Sequence, residues 1–207
     1  ILRTEIKTTG AGRTDTGVHA KKMFAHFDFD GEISEKLVHQ LNSFLPPSIA
    51  VKKVFEVKED FHARFSAKYR TYEYYISLEK NPFSEKFAWQ HWRKTLDVGK
   101  MNEACKILFE YEDFGSFAKV GADNKTNICK IYHANWEQNG NELKFTISAD
   151  RFLRNRVRAI VGTMVEIGSG KLKPADLRNV IEAKNRGVAG TSAPAHALFL
   201  VDVGYDF

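Results

Sequence analysis

The sequence predicts an α+β fold with a mixed, mostly antiparallel sheet and flanking helices. Strand-like segments come first along the chain, and segments of helical periodicity lie between and after them, which is the order typical of this class. Segments of alternating hydrophobicity flank Asn139-Gly140, and this pair predicts a β-hairpin because Asn-Gly favours the tight type I′ turn. The chain of 207 residues is long enough to bury a sizeable core.

Hydrophobic periodicity and turn residues predict the individual elements. Two-residue alternation and aromatic enrichment predict strands at 1–8, 23–29, 51–57, 69–77, 128–138, 143–150 and 198–205. Apolar residues three and four apart predict a helix after Asp97 and others at 34–45, 152–167 and 174–184. Pro46 ends the first helix, Gly168 ends the longest one, and Pro174 opens the last.

Composition argues against several classes of protein. Lys and Arg number 31 against 26 Asp and Glu, and the resulting net charge of +5 favours a polyanionic partner only slightly. Cys105 and Cys129 are far apart, which argues against a disulfide scaffold or a zinc site and fits a reducing cytosol. The histidines have no metal-ligand spacing, and no apolar run approaches the roughly 20 residues of a membrane span. We therefore expect neither a metal site nor a membrane partner.

The first candidate functional segment is the glycine-bearing loop GAGRTDTGVHA at 10–20. A tight polar turn between strands can present one carboxylate, Asp15, and one guanidinium, Arg13, into a cleft. Two other interpretations stay open on composition alone. Asp15 could form an Asx-turn with its own backbone, or the loop could hold a phosphate, although the Gly-Lys-Ser/Thr ending of a P-loop is absent.

The second candidate segment is an aromatic strand that follows DFHARFSA at 60–67. Tyr72 on this strand offers a flat ring and a hydroxyl, and stacking a base on such a ring contributes roughly 1–3 kcal/mol. Strands of this composition more often belong to a core with a solvated edge. We expect a functional role for Tyr72 and structural roles for Tyr74 and Tyr75.

The third candidate segment is RFLRNRVRAIVG at 151–162. On a helix, Arg151, Arg154 and Arg158 would share one face, and apolar residues would line another. Such a face could simply be solvated. Charges of one sign repel each other, however, unless a polyanion compensates them.

Together these segments resemble the tRNA pseudouridine synthase A family, from about Ile6 to Tyr205. GRTDTGVHA at 12–20 matches the family signature GRTDxGVHA at every specified position. DFHARFSA, the following R-x-Y-x-Y at 70–74 and the arginine-rich segment at 151–162 are similar to further family motifs. APAHAL at 193–198 resembles the family's TAPAxGL, and Arg156 stands where we would expect Met.

The resemblance implies an isomerase that converts uridine to pseudouridine in the anticodon stem-loop of tRNA, at tRNA positions 38 to 40, after the nucleotide is flipped out. It implies that Asp15 is the catalytic carboxylate, that Arg158 pairs with it and that Tyr72 is the active-site tyrosine. Arg13 would fill the space left by the extruded nucleotide, and Leu198 would pack near the active site. Further substrate contacts are expected from His19, Arg64, Arg151 and Arg154.

The resemblance also implies the pseudouridine synthase fold, a homodimer and a cytoplasmic location. In this fold two similar α+β halves, here 1–66 and 67–207, surround a central cleft and form one catalytic unit. The reaction detaches uracil and rejoins it through carbon, so no redox or group-carrying cofactor is expected. Members of the family begin with a YDGxxYxGWQ-like strand and a helix ahead of the matched region, so we expect this sequence to be a fragment of a longer protein.

Other classes of function are also compatible with parts of the sequence. A non-catalytic RNA-binding module, or an inactive synthase fragment, would explain the arginines and the aromatic strand but has no need of the Asp15 loop. A carboxylate-dependent hydrolase of small molecules would use the acid, but it would show no salt-dependent affinity for tRNA.

Overall fold

A mixed six-stranded sheet forms the centre of the fold in a computed structural model that describes residues 1–118 and 126–207. The strands described are β1 (Thr9–Gly10), β2 (His19–Ala20), β3 (Ala25–His26), β4 (Tyr69–Ser77), β5 (Trp89–Gln90), β6 (Ile131–Asn139), β7 (Glu142–Ala149) and β8 (Leu198–Gly204). The α-helices described are α1 (Leu37–Phe44), α2 (Val98–Ile107), α3 (Arg156–Gly168) and α4 (Asp176–Glu182).

The long strands pair antiparallel, and the short ones add parallel pairs at the margins of the sheet. The strand order is β2-β8-β4-β7-β6, in which β2 is parallel to β8, and β5 runs parallel to the end of β4. Strands β1 and β3 form a separate antiparallel pair. The predicted α+β class with a mixed, mostly antiparallel sheet and flanking helices is therefore confirmed.

The predicted hairpin supplies one side of the core. Strands β6 and β7 pair up to Asn139 and Glu142, so the two turn residues are Gly140 and Asn141. Only Gly140 of the two has a positive φ (57°), so the hairpin is confirmed, but its turn has the pattern of type II′ and not the predicted type I′. Trp136 of β6 stacks on Phe145 of β7 with ring centroids 4.8 Å apart. Inward residues of β4, β6 and β7 share one buried cluster with residues of α2, α3 and α4.

Two of the predicted strands are wrong, and a third is much shorter than predicted. Segments 1–8 and 51–57 have no strand partner within the described residues, and of 23–29 only Ala25–His26 is a strand. An alternating pattern indicates an extended backbone, but a strand also requires a neighbour for its N–H and C=O groups. At Val51 a side chain takes that place, because the Asn42 amide bonds both its N–H (2.7 Å) and its C=O (2.8 Å).

The longest helix starts later than predicted. Asn155 has a φ of 68° and its side-chain amide donates to Ser192 Oγ at 2.7 Å, so α3 begins only at Arg156. Arg151 and Arg154 precede the helix, and the prediction that they share a helical face with Arg158 is wrong. Although α3 is largely apolar, no helix in the described ranges has the length and hydrophobicity needed to cross a membrane.

Contacts join the two predicted halves, 1–66 and 67–207. Strand β2 pairs with β8, and the Tyr205 hydroxyl donates to the carbonyl of Ala63 at 2.5 Å. Both contacts bring the first segment onto the sheet built by the second. The division into two similar halves stays a prediction.

A close backbone approach at Gly162 generates a stability prediction. A β-carbon at this position of α3 would lie 1.8 Å from the carbonyl oxygen of Thr191, so the backbone would have to move. We expect Gly162→Ala to lower the free energy of unfolding by about 3 kcal/mol or more, measured by urea denaturation. In an open helix the same change would stabilise by about 1 kcal/mol, so an unchanged or raised stability would contradict the packing. Gly12→Ala is the control, because nothing lies within 4 Å of its added carbon.

Candidate active site

The Asp15 loop is held between two strand pairs. It connects β1 to β2, and the Ala11 N–H donates to the carbonyl of Phe24 at 2.8 Å where the loop leaves β1. Gly17 has a φ of 86°, which turns the chain sharply after Asp15. A β-carbon at Gly17 would lie 3.5 Å from that of Ala195, so the loop packs against the segment that precedes β8.

Asp15 and Arg158 form an ion pair at the centre of the site. Arg158 Nη1 lies 2.9 Å from Asp15 Oδ2, and both side chains are 20% exposed. Arg158 Nε also donates to the carbonyl of Ala193 at 2.7 Å, while the Ala193 N–H donates back to the Arg158 carbonyl at 3.0 Å. The guanidinium is therefore fixed on two sides, and Asp15 Oδ1 accepts no hydrogen bond from the described residues.

Tyr72 lies on β4 beside this pair. Its partly buried ring packs edge-on against Phe152, with centroids 5.4 Å apart. Burial raises the pKa of the Tyr72 phenol to about 12; the positive charge of Arg70 lowers this pKa, and the negative charge of Asp15 raises it further. The hydroxyl thus stays protonated at neutral pH and lies within the electrostatic reach of Asp15.

The two tyrosines that follow Tyr72 have packing partners. Tyr74 is fully buried, and its hydroxyl donates to the carbonyl of Pro194 at 2.9 Å, next to the residue that holds Arg158. Tyr75 donates to Glu73 at 2.6 Å and accepts a hydrogen bond from Lys21 at 3.0 Å. Tyr74 thus contacts the segment that binds Arg158, which agrees with the structural role predicted for it.

Leu198 and His19 lie on opposite faces of the sheet. Leu198 is buried and pairs with Tyr74 across β4 and β8, on the face that carries the core. His19 pairs with Phe199, the next residue of β8, and its ring stacks on Phe199 at 4.7 Å and contacts Phe87 at 5.3 Å. The structure does not bring His19 to the ion pair, and its predicted contact with substrate stays a prediction.

The remaining arginines of the sequence prediction differ in exposure. Arg13, Arg64 and Arg154 are exposed, whereas Arg151 is partly buried. The Arg151 N–H donates to Asp150 Oδ1 at 2.7 Å, which fixes the backbone where β7 ends. None of these four guanidinium groups forms a salt bridge to a carboxylate of the described residues.

Arg70 is a site residue that the sequence interpretation missed. Its guanidinium donates to the carbonyls of Ala67 (3.1 Å), Asp150 (3.0 Å) and Ala11 (3.2 Å), and also to that of Arg64. These acceptors come from the Asp15 loop, the 60–67 segment and the end of β7. Burial lowers the pKa of Arg70. The sequence could have indicated Arg70, because it lies two residues before Tyr72 and therefore on the same face of a strand.

Arg156 points into the core and not towards Asp15. It stands where the family resemblance led us to expect Met, and α3 directs it inward as an apolar residue would be. The side chain is fully buried, its Nη2 donates to the carbonyl of Asn127 at 3.0 Å, and its guanidinium lies 5.9 Å from the Phe114 ring centroid. Burial lowers the pKa of Arg156, and its Nε and Nη1 have no hydrogen-bond partner among the described residues.

Comparison with known proteins identifies the relatives of this chain. The family model described as tRNA pseudouridine synthase matches residues 104–206. A tRNA pseudouridine synthase A of Parabacteroides distasonis is 54% identical, over 99% of this chain and 82% of its own length. One from Bacteroides fragilis is 55% identical over the same shares, and one from Bacillus subtilis is 39% identical over 97% of this chain and 82% of its own length.

The environment of Tyr72 predicts how the protein responds to alkaline pH. Because the pKa of this group is raised from 10.0 to about 12 in the fold, its stabilising contribution is complete below pH 10 and disappears as the pH rises through 12. Burial also raises the pKa of Tyr205 to about 12. We therefore expect Tyr72→Phe to reduce the absorbance change near pH 12 in the tyrosinate titration of the folded protein by the share of one phenol. Tyr132→Phe, which removes an exposed hydroxyl, should leave that absorbance change intact. An undiminished absorbance change in Tyr72→Phe would show that this phenol is open to solvent.

Proposed function

Because the chain belongs to the tRNA pseudouridine synthase A family and is an isomerase that acts on tRNA, we propose that Asp15, Arg158 and Tyr72 form its catalytic centre. The observation that carries this assignment is the 2.9 Å ion pair between Asp15 on the loop and Arg158 on α3, residues 143 positions apart. A partly buried pair with one free carboxylate oxygen, beside a protonated tyrosine, suits chemistry at a sugar carbon.

The reaction determines what the carboxylate has to do. Breaking the bond between N1 of uracil and C1′ of ribose leaves positive charge on the sugar and negative charge on the base. The base then turns, C5 bonds to C1′, and the proton that C5 loses is matched by the one that N1 gains. Asp15 either attacks the sugar as a nucleophile or removes a proton from it as a base. In both cases Oδ1 is the oxygen that the ion pair leaves available.

Arg158 would position this carboxylate, and Tyr72 would contact the base. The guanidinium of Arg158 is held by the carbonyl of Ala193 and donates to Oδ2 of Asp15. A lysine would not make both contacts, because an ammonium lacks the planar fork. The neutral phenol of Tyr72 can donate to the detached uracil or receive its ring while the base turns.

The substrate assignment extends to the anticodon stem-loop, at tRNA positions 38 to 40. A uridine there has to leave its stack before it reaches Asp15, which costs a few kcal/mol. Exposed Arg13, two residues before Asp15 in sequence, would fill the vacated space. Arg64, Arg151 and Arg154 would contact phosphates, Leu198 would support the pocket from the core, and His19 would contact RNA at the sheet edge.

A homodimer and a cytoplasmic location complete the proposal. Both cysteines are buried and free, which is compatible with a reducing compartment. Sedimentation of the purified chain would measure the oligomeric state directly.

Replacement of Asp15 tests the catalytic assignment. We expect Asp15→Ala to reduce pseudouridine formation in unmodified tRNA by at least about 10²-fold, because the nucleophile or base is gone, while the Kd for tRNA stays within a few-fold. Pseudouridine is quantified by position in the tRNA, and exposed Asp30→Ala is the matched control. Equal turnover by Asp15→Ala would exclude its catalytic role. Tight binding by the parent without any product would favour the RNA-binding module.

The salt dependence of binding tests the arginine contacts. We expect Arg154→Ala to reduce the slope of log Kd against log salt concentration by about 0.7 to 1, because one phosphate contact is lost. Arg178→Ala is the control, since Arg178 lies on α4 and already pairs with the carboxylate of Glu110 at 2.6 Å. Equal slopes for Arg154→Ala and the parent would show that Arg154 does not contact phosphate.

A further inference from the structure

Phe65 presents its ring to solvent beside the Asp15 loop. The residue is 74% exposed. The His62 ring lies 4.3 Å from its ring at an interplanar angle of 35°, and the Arg64 guanidinium lies 5.5 Å from its centroid. A single exposed apolar side chain is common and indicates nothing by itself. Here, however, the exposed ring is flanked by an imidazole and a cation.

The turn that carries Phe65 is held by many hydrogen bonds. His62 Nδ1 accepts the N–H groups of Arg64 (3.1 Å) and Phe65 (3.3 Å), and the His62 carbonyl accepts those of Phe65 (3.0 Å) and Ser66 (2.8 Å). Ser66 Oγ in turn accepts the His62 N–H at 2.9 Å. The ring is therefore presented to solvent by a backbone that is already ordered, which reduces the entropy lost when a ligand stacks on it.

The same turn is joined to the catalytic loop. Arg70 donates to the carbonyl of Arg64 and to that of Ala11, four residues before Asp15. On the other side, the Ala63 N–H donates to His26 Nδ1 at 3.1 Å, and His26 belongs to the strand paired with β1. The position of the Phe65 ring is thus fixed relative to the loop that carries Asp15.

We propose that Phe65 is a stacking platform for an unpaired base of the RNA next to the target uridine, and that Arg64 contacts the adjoining phosphate. The proposal rests on the proposed function and adds a subsite to it. Extruding one nucleotide leaves its neighbours without a stacking partner, and single-stranded bases are held by aromatic faces and arginine planes. A nucleotide combines a flat ring with an anion, which matches an aromatic ring beside a guanidinium.

A protein partner fits this surface less well than a base does. Stable protein interfaces bury apolar residues over about 800 Å² on each side, whereas Phe65 is surrounded by His62, Arg64 and backbone. The charge of Arg64 suits a phosphate, and the exposed ring of Phe65 suits the face of a base. Self-association through Phe65 is therefore the alternative outcome in the experiment.

The experiment compares Phe65→Ala, Phe65→Leu and Phe65→Trp in the full chain, with an anticodon stem-loop RNA as probe. We expect Phe65→Ala and Phe65→Leu to raise the Kd for the RNA by roughly 5- to 100-fold, because stacking on the ring is lost. Phe65→Trp keeps an aromatic ring and should bind like the parent. Turnover at saturating RNA should fall much less than binding does. Phe83→Ala is the matched control, since Phe83 is 95% exposed elsewhere.

Abasic RNA identifies the stacked base. Removing the base at one loop position should weaken binding by the parent as much as Phe65→Ala does, and should add nothing in Phe65→Ala. If Phe65→Ala and Phe65→Leu both bound the RNA as tightly as the parent, the stacking proposal would be wrong. It would also be wrong if these variants lost affinity but no abasic RNA weakened binding by the parent. A change in sedimentation of Phe65→Ala would assign the ring to a protein interface instead. Failure of the parent itself to form pseudouridine would contradict the proposed function, whereas an active parent with an unaffected Phe65→Ala contradicts the platform alone.

Discussion

The ion pair between Asp15 and Arg158 is the interaction on which the arrangement of the site depends. It joins a loop near the start of the chain to a helix 143 residues later, and both side chains are largely withdrawn from solvent. Removing one partner of such a pair leaves a charge without compensation, which is strongly unfavourable. The Ala193 carbonyl also binds the guanidinium, so the segment that precedes strand β8 helps to position Arg158 for the carboxylate.

Two arginines hold irregular backbone in place around that pair. Arg158 bonds one carbonyl and Arg70 bonds four, from segments that carry little regular secondary structure. Hydrogen bonds from a charged donor contribute more than neutral ones, roughly 1.5–3 kcal/mol against about 1 kcal/mol. The Asp15 loop is therefore held by side-chain contacts as well as by its backbone hydrogen bonds to Phe24 and Leu200. This is how a loop with two-residue strands at its ends can present Asp15 in one position.

The start of α3 separates arginines of adjacent sequence into different environments. The left-handed Asn155 leaves exposed Arg154 outside the helix. Arg156 and Arg158 both lie on α3, two residues apart and so on different faces, which directs Arg156 into the core and Arg158 to Asp15. The same irregular stretch places Phe152 against Tyr72, which connects the two motifs at the site.

By itself the sequence determined the hairpin at Asn139-Gly140, strand β4 and the approximate ends of the four helices described, because turn chemistry and periodicity are local properties. It predicted Asp15, Arg158 and Tyr72 through a family resemblance, and the structure brings these residues together. Only the tertiary structure decided that segments 1–8 and 51–57 are not strands. It also decided that Arg70 bonds the Ala11 carbonyl at the start of the Asp15 loop, and that His19 lies on the sheet face opposite Leu198. Strand pairing, burial and the choice of hydrogen-bond partner depend on residues far apart in sequence, and no local pattern records them.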